Sequence, residues 1–333
     1  MPELRKDPVV GRWVIIASER ARRPGNFIDT SDNEIEDEPS ECAYCRPQKD
    51  IIATEGTSGK VAVIPFGGVP GTGQHEFQRT KNGLYNIING QGGHEIVIET
   101  PEHVANMADL DADQIRLVFQ TYAQRIQVFE SQPSLRYALV YKNYGPVAGS
   151  RNIGHTRSHI VATPVRPRHV KEKLIGAKQY YDQNKRCVYC DLVIEELKIK
   201  ERMVFETEHF IAFIPFAARY LFEICVYPKS HHCDFHVGLK GKEQDLSVMI
   251  KAVLQKIQQG LDDPGYNFVI QTAPFRRPSK GTHKWATIEQ DYHWHIELIP
   301  SLTRTAGFEK GTGFYICAVP PEAMADFLRG VKI

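Results

Sequence analysis

The sequence predicts an α+β protein of two similar halves, each an antiparallel sheet with one long helix packed on a face. Three observations carry that expectation. One order of features occurs twice, each copy holds one long amphipathic pattern, and short strand patterns surround it. The first copy runs CAYC at 42–45, VAVIPF at 61–66 and HEIVIETPEH at 94–103. The second runs CVYC at 187–190, IAFIPF at 211–216 and FEICVYPKSH at 222–231. Glu95 precedes His103 by eight residues and Glu223 precedes His231 by the same eight, so the spacing equates the two glutamates.

The long pattern of the first copy, residues 109–130, sets Leu110, Ile115, Val118, Tyr122 and Ile126 near helical spacing, with Asp109 and Asp111 as capping candidates. Its counterpart, residues 242–261, carries Leu246, Met249, Ile250, Val253, Leu254 and Ile257, with Gly260 as a stop. Strand patterns follow at 137–143 (YALVYKN) and 266–272 (YNFVIQT). Each copy closes on HTRSH at 155–159 or HWHIE at 293–297. Alternation in a strand sends i, i+2 and i+4 to one face, grouping His155, Arg157 and His159, and likewise His293, His295 and Glu297. The expected halves are 1–165 and 175–333, divided near the Pro/Arg/Lys-rich stretch 164–186. The acidic, aperiodic segment 30–41 reads as a loop.

With 333 residues, 42% hydrophobic and 24% charged, the composition is that of a globular protein, and the net charge of +1 gives no electrostatic case for nucleic acid or anionic membrane partners. No apolar run reaches the roughly 18 residues of a membrane helix, and residues 1–13 lack a signal-peptide core, so the expected compartment is the cytoplasm. Four of the seven cysteines form the pairs Cys42/Cys45 and Cys187/Cys190, a spacing that in a reducing compartment points to metal or redox chemistry. Cys225, Cys233 and Cys317 read as ordinary packed thiols.

Each half then offers two cysteines, a histidine after a strand and a histidine at the closing strand. The sets are Cys42, Cys45, His103 and His155, and Cys187, Cys190, His231 and His293. Two thiolates with two imidazoles match a tetrahedral structural zinc, so two zinc ions per chain are expected. His232 competes with its neighbour, and the spacing from Glu223 favours His231.

Several blocks resemble the galactose-1-phosphate uridylyltransferase family of the histidine-triad superfamily. They are RKDPVVGRWVIIASERARRP (5–24), NGQGGHEIVIETPEH (89–103), KNYGPVAGS (142–150) and YHWHIELIPSLTRTAGFEKGTGFYICAVPP (292–321), and together they span nearly the whole chain. The resemblance implies two tandem histidine-triad-like halves, a homodimer with its site near the subunit boundary, and ping-pong transfer of a nucleotide. In that reaction a histidine attacks the α-phosphate of a nucleotide sugar, such as UDP-glucose, and a sugar 1-phosphate or other phosphate acceptor then takes the nucleotide. A neutral imidazole is both a nucleophile near pH 7 and a good leaving group from phosphorus.

The HTRSHIVATP segment aligns with the family's H-P-H-S-Q-x-x-A-x-P pattern. His155 takes the position of a zinc ligand, Ser158 keeps the serine, His159 replaces glutamine, and Arg157 stands where the nucleophilic histidine belongs. Guanidinium stays protonated and has no lone pair to offer, so Arg157 cannot be that nucleophile. Three readings are open. His159 serves as the nucleophile, displaced by roughly 6.6 Å along one strand face. Alternatively, Arg157 clamps phosphate for a phosphorolysis or hydrolysis that forms no nucleotidyl-histidine. In the third, catalysis is lost and a nucleotide-binding regulatory protein remains. Asn143, Arg157, Ser158 and His295 are the candidates for holding nucleotide phosphates, and Arg276, Arg277 and Lys280 form a basic loop. VAVIPFGGVPG lacks the asparagine of the family's nucleotide-contact segment, which leaves the base open.

Overall fold

The computed structural model describes residues 2–17, 39–40, 42–45, 51–52, 54–66, 79–88, 92–150, 154–277 and 285–333. Most of the acidic segment 30–41, Lys280, and parts of the resemblance blocks at 18–24 and 89–91 lie outside them. The first half supplies β1 (Glu3–Lys6), β2 (Trp13–Ile16), β3 (Ala62–Pro65), β4 (Arg79–Asn82), β5 (Tyr85–Ile88), β6 (Gly93–Ile98), α1 (Ala112–Ser131), β7 (Tyr137–Tyr144) and β8 (Arg157–Thr163). Next come α2 (Arg168–Asn184), α3 (Val188–Ile199), β9 (Met203–Glu206), β10 (Phe210–Phe213), β11 (Ile224–Pro228), α4 (Phe235–Gly238) and α5 (Glu243–Gly260). The chain closes with β12 (Tyr266–Gln271), α6 (Ile288–Asp291), β13 (His295–Pro300), α7 (Gly307–Thr312), β14 (Tyr315–Cys317) and α8 (Pro321–Gly330).

One nine-stranded sheet, in the order β3-β6-β8-β7-β12-β13-β11-β10-β9, runs through both halves. From the central antiparallel β7–β12 pair the order reads β8, β6, β3 on one side and β13, β11, β10 on the other, the mirror pattern expected of a duplication. Helices α1 and α5 lie side by side on one face. Asp111 caps α1 by accepting from the Gln114 amide, while Asp109 sits in the short helical turn just before it. The periodic residues Ile115, Val118, Tyr122 and Ile126 of α1 and Leu246, Met249, Ile250, Val253, Leu254 and Ile257 of α5 are all buried. Each such side chain contributes about 1.5–3 kcal/mol of apolar burial. They meet Ala138, Val140, Ile160, Ala162, Phe268, Ile270, Ile296 and Leu298 from the facing strands.

The opposite face was less legible. The stretch between the halves, read as a connection, is largely the 17-residue α2, whose Val170, Leu174 and Ala177 pack with α3 residues over Tyr137, Ile211, Phe213, Cys225 and Tyr227. The opening strands β1 and β2 form a second sheet with β14, so the first residues of the chain pack against its last third. Among the described residues no helix is long and apolar enough to cross a membrane.

Candidate functional site

Each half brings its four proposed ligands together. Cys42 and Cys45 come from a turn, His103 follows β6, and His155 immediately precedes β8. In the second half Cys187 is the N-cap residue of α3, Cys190 lies in its first turn, His231 follows β11 and His293 precedes β13. Within each set all four ligand atoms lie within 4.8 Å of one another. The sulfur-to-Nδ1 separations are 3.2 Å (Cys45–His103), 3.4 Å (Cys45–His155) and 3.6 Å (Cys42–His155) in the first set. In the second they are 3.2 Å (Cys190–His231) and 3.6 Å (Cys190–His293). Bonds of about 2.3 Å to sulfur and 2.0–2.1 Å to nitrogen give a tetrahedral zinc S···N edges of about 3.5 Å, so the residues fit that ion. The outer ring nitrogens support the same geometry. His155 Nε2 lies 2.9 Å from the Thr100 carbonyl and His231 Nε2 lies 3.0 Å from that of Glu289. Donation there fixes the tautomer that leaves Nδ1 free for a metal.

Two residues beyond His155, the chain enters β8 and the alternation takes over. Arg157 and His159 face a cavity of about 250 Å³ with Tyr44, Phe66, His94, Tyr141, Asn143 and Ser150. Segments 67–78 and 151–153, which follow Phe66 and Ser150 in the sequence, lie outside the described residues. Arg157 donates to the His155 carbonyl at 3.1 Å and to Ser150 Oγ at 3.1 Å, and its guanidinium lies over the Tyr44 ring. The ring of His159 stacks on Tyr141 with centroids 5.0 Å apart, and its Nδ1 meets His94 Nε2 at 3.0 Å. Asn143 also lines the cavity, its Oδ1 accepting from Asn267 at 2.8 Å.

Burial, followed by repulsion from His94, Arg157 and Lys142, pushes His159 down to about 4, so its imidazole is neutral at pH 7. Burial likewise lowers His94. An unfolded chain takes up this proton near pH 6.5, while the native one resists it until about 4. The pair of values makes stability rise with pH across that window. An NMR titration of the imidazole carbons is expected to give His159 a midpoint near pH 4; one near 6.5 contradicts the burial argument.

Two expected phosphate contacts are corrected by position. Ser158 points to the opposite face of the sheet, fully buried, with its hydroxyl donating to Glu99 Oε1 at 2.5 Å and also bonded to Tyr122. It belongs to a core network in which Lys142 donates to Glu99 at 2.8 Å, to Thr156 at 2.7 Å and to the Arg157 carbonyl at 3.1 Å. Ser158→Ala is therefore expected to cost roughly 1–3 kcal/mol of stability in a denaturant titration, because Glu99 loses a buried donor, with the bound-nucleotide affinity unchanged. His295 is 1% exposed, its Nδ1 donating to the His293 carbonyl at 3.0 Å and its Nε2 accepting from Lys173 at 2.8 Å. The cavity beside it, closed by Asp7–Val10 of the β1–β2 turn, holds about 70 Å³. That is room for about two waters at roughly 30 Å³ each, not for a nucleotide.

The equation of Glu95 with Glu223 is also corrected. His159 pairs with Ile96, whereas Glu297, at the same distance past its own histidine ligand, pairs with Cys225. By register Glu223 matches His94. Glu95 faces α1, where Arg125 grips it at 2.6 and 2.8 Å, while Glu223 shares Arg219 with Glu297 on the other face. The equal spacing hid a one-residue difference, because His103 lies nine residues past His94 whereas His231 lies eight past Glu223. His94 was missed as a site residue, although its alternation with Glu95 would have put it opposite the helix. Of the basic loop, Arg276 pairs with Asp234 and Glu289, and Arg277 donates to backbone carbonyls of residues 130, 132 and 135.

The fold of this chain, a sheet built from two similar halves, matches solved structures over its whole length. The family model for galactose-1-phosphate uridyl transferase, N-terminal domain, matches residues 1–167. The ADP-glucose phosphorylase of Arabidopsis thaliana is 35% identical over all of this chain and 93% of its own length. The chain belongs to the galactose-1-phosphate uridylyltransferase family. The galactose-1-phosphate uridylyltransferase of Thermotoga maritima is 25% identical over 100% of this chain and 99% of its own. A crystal structure of the Arabidopsis thaliana ADP-glucose phosphorylase with bound ADP-glucose superimposes with a TM-score of 0.77 at 34% identity, covering 100% of both chains. A uridylyltransferase structure gives 0.75 at 26%, covering 99% of this chain and 98% of the other.

Proposed function

We propose that this protein transfers a nucleotide from a nucleoside diphosphate sugar to orthophosphate, releasing a hexose 1-phosphate, with His159 as the nucleotide's temporary carrier. The observation that carries the reading is the shared face of β8, on which a fixed cation, Arg157, and a neutral imidazole, His159, line one cavity. The cation suits the charge on α-phosphate oxygens, and the imidazole suits attack on phosphorus. Orthophosphate is preferred to a sugar 1-phosphate as acceptor because the 35% identical relative is a phosphorylase while the uridylyltransferase of Thermotoga maritima is 25% identical. ADP-glucose is the first donor to try, since the matching solved relative binds it.

Zinc is the ion proposed for both four-ligand clusters. When bound, it would tie Cys42, Cys45, His103 and His155 together and hold the entry to β8 in place. The chain's own residues do the rest. Arg157 orients the phosphate, Tyr141 fixes the ring of His159, and Asn143 offers an amide at the cavity wall. The test incubates the purified protein with orthophosphate and either ADP-glucose or UDP-glucose, and follows glucose 1-phosphate and nucleoside diphosphate by chromatography. Phosphate-dependent release of both products is expected. Release of nucleoside monophosphate without phosphate dependence would make the protein a hydrolase instead.

A further inference from the structure

The cavity holds a second histidine for which the reading above has no use. His94, from β6, is the diagonal neighbour of His159 across the β6–β8 ladder, on the same face. Its Nε2 is 3.0 Å from His159 Nδ1, and the Phe66 ring meets His94 edge-on at 4.7 Å and His159 at 6.2 Å. With Tyr141 stacked against the other side, the His159 ring is held in orientation from three directions. Among the described residues nothing bonds the remaining nitrogen of His159, Nε2, and the side chain opens on the cavity.

We propose that His94 and His159 work as a pair, in which His94 accepts the Nδ1 proton of His159 and so presents the Nε2 lone pair to the nucleotide's α-phosphorus. The inference rests on the nucleotide-transfer reading given above. In the first half-reaction the Nε2–P bond forms and the P–O bond to the β-phosphate breaks, with the electron pair leaving on the hexose 1-phosphate. Positive charge spreads through the His159 ring, and its Nδ1 proton passes to His94 Nε2 along the existing hydrogen bond. In the second half an orthophosphate oxygen attacks the same phosphorus, the N–P electrons return to His159, and His94 gives the proton back. Arg157 faces the same cavity throughout and balances the charge on the phosphate oxygens.

The second half of the chain shows that the pair is not a requirement of the fold. The corresponding positions hold Glu223 and Glu297, two carboxylates gathered by Arg219, with Lys173 also on Glu297 at 2.5 Å. Packing at this register is therefore met by an ion network. Two imidazoles at hydrogen-bond distance beside an open cavity answer a chemical need, and they supply a positioning group at the point where the familiar H-x-H arrangement is interrupted by Arg157.

The test measures single-turnover labelling by α-³²P ADP-glucose and α-³²P UDP-glucose after an alkaline quench that preserves phosphohistidine. The proteins are the wild type, His94→Ala, His94→Gln and His159→Ala. Loss of a proton-accepting partner is expected to slow labelling by about 10²–10³-fold in His94→Ala. The KM for the nucleotide sugar should change less than about threefold, which a general loosening of the cavity would not allow. Added imidazole should recover part of the rate in His94→Ala and none in His159→Ala. His94→Gln, which can accept the hydrogen bond but cannot take the proton, should fall between wild type and His94→Ala, and it carries the comparison if the alanine variant does not fold. Equal labelling rates in wild type and both His94 variants overturn the pair while leaving nucleotide transfer standing. A wild type that takes no label overturns both.

Discussion

Replacement of His159 by alanine is expected to lower kcat for nucleotide transfer by about 10³-fold or more, with a much smaller change in KM. That factor corresponds to roughly 4 kcal/mol of lost transition-state stabilisation at 1.36 kcal/mol per decade. The expectation follows from the division of labour along β8. In the proposed reaction Arg157 supplies the charge that holds phosphate in the ground state, and it remains in the variant. His159 carries the lone pair, and among the described residues that line this cavity the only other imidazole is His94, whose Nε2 points at His159 itself. Arg157→Ala is the useful contrast, since losing the cation weakens binding as well as turnover. Steady-state kinetics over a range of nucleotide sugar concentration separate the two patterns. A His159→Ala enzyme that keeps wild-type kcat would return the case to direct displacement assisted by Arg157.

Removal of the zinc proposed for the two four-ligand clusters is expected to have the largest effect on stability. Binding of structural zinc in small domains is worth about 10–16 kcal/mol, comparable with or larger than the net stability of an ordinary domain, about 5–15 kcal/mol. The first cluster joins a turn at 42–45 to the end of β6 and the start of β8, three segments far apart in sequence. Without an ion its two thiols and two imidazoles are left converging on one another at that junction, and Arg157 lies only two residues beyond His155. Cys42→Ser is therefore expected to lose both melting temperature and transfer activity. Cys187→Ser, which opens the cluster at the start of α3, should lower the melting temperature while the intact β8 cavity keeps its activity in the folded fraction. Calorimetry together with elemental analysis checks this, with two zinc ions per wild-type chain and one in each variant. An unchanged melting temperature after exhaustive chelation would mean that neither cluster is structural.

Local periodicity made much of this readable. The helices α1 and α5 stood out because their apolar residues recur at helical spacing, and the clusters because cysteine pairs and closing histidines repeat in one order. Helix α2 was hidden by its composition. Charged residues dominate it, and only Val170, Leu174 and Ala177 mark its buried stripe. Ser158 was a different kind of error. Alternation in β8 already sends it away from Arg157 and His159, but the matched serine of the HPHSQ-like pattern outweighed that geometry. His94 escaped because equal residue counts to the closing histidines match Glu223 with Glu95, while the true spacings differ by one residue. Pairing across the sheet, which counting cannot see, sets the equivalence with His94.

In the proposed reaction the nucleotide passes through His159. Wild-type protein is incubated with α-³²P-labelled ADP-glucose or UDP-glucose in the absence of phosphate, quenched in alkali and digested, and the labelled peptide is mapped by mass spectrometry. A nucleotidyl group is expected on the peptide that contains His159, lost when orthophosphate is added. Rapid turnover with no covalent label, or label on a peptide from another part of the chain, would contradict it.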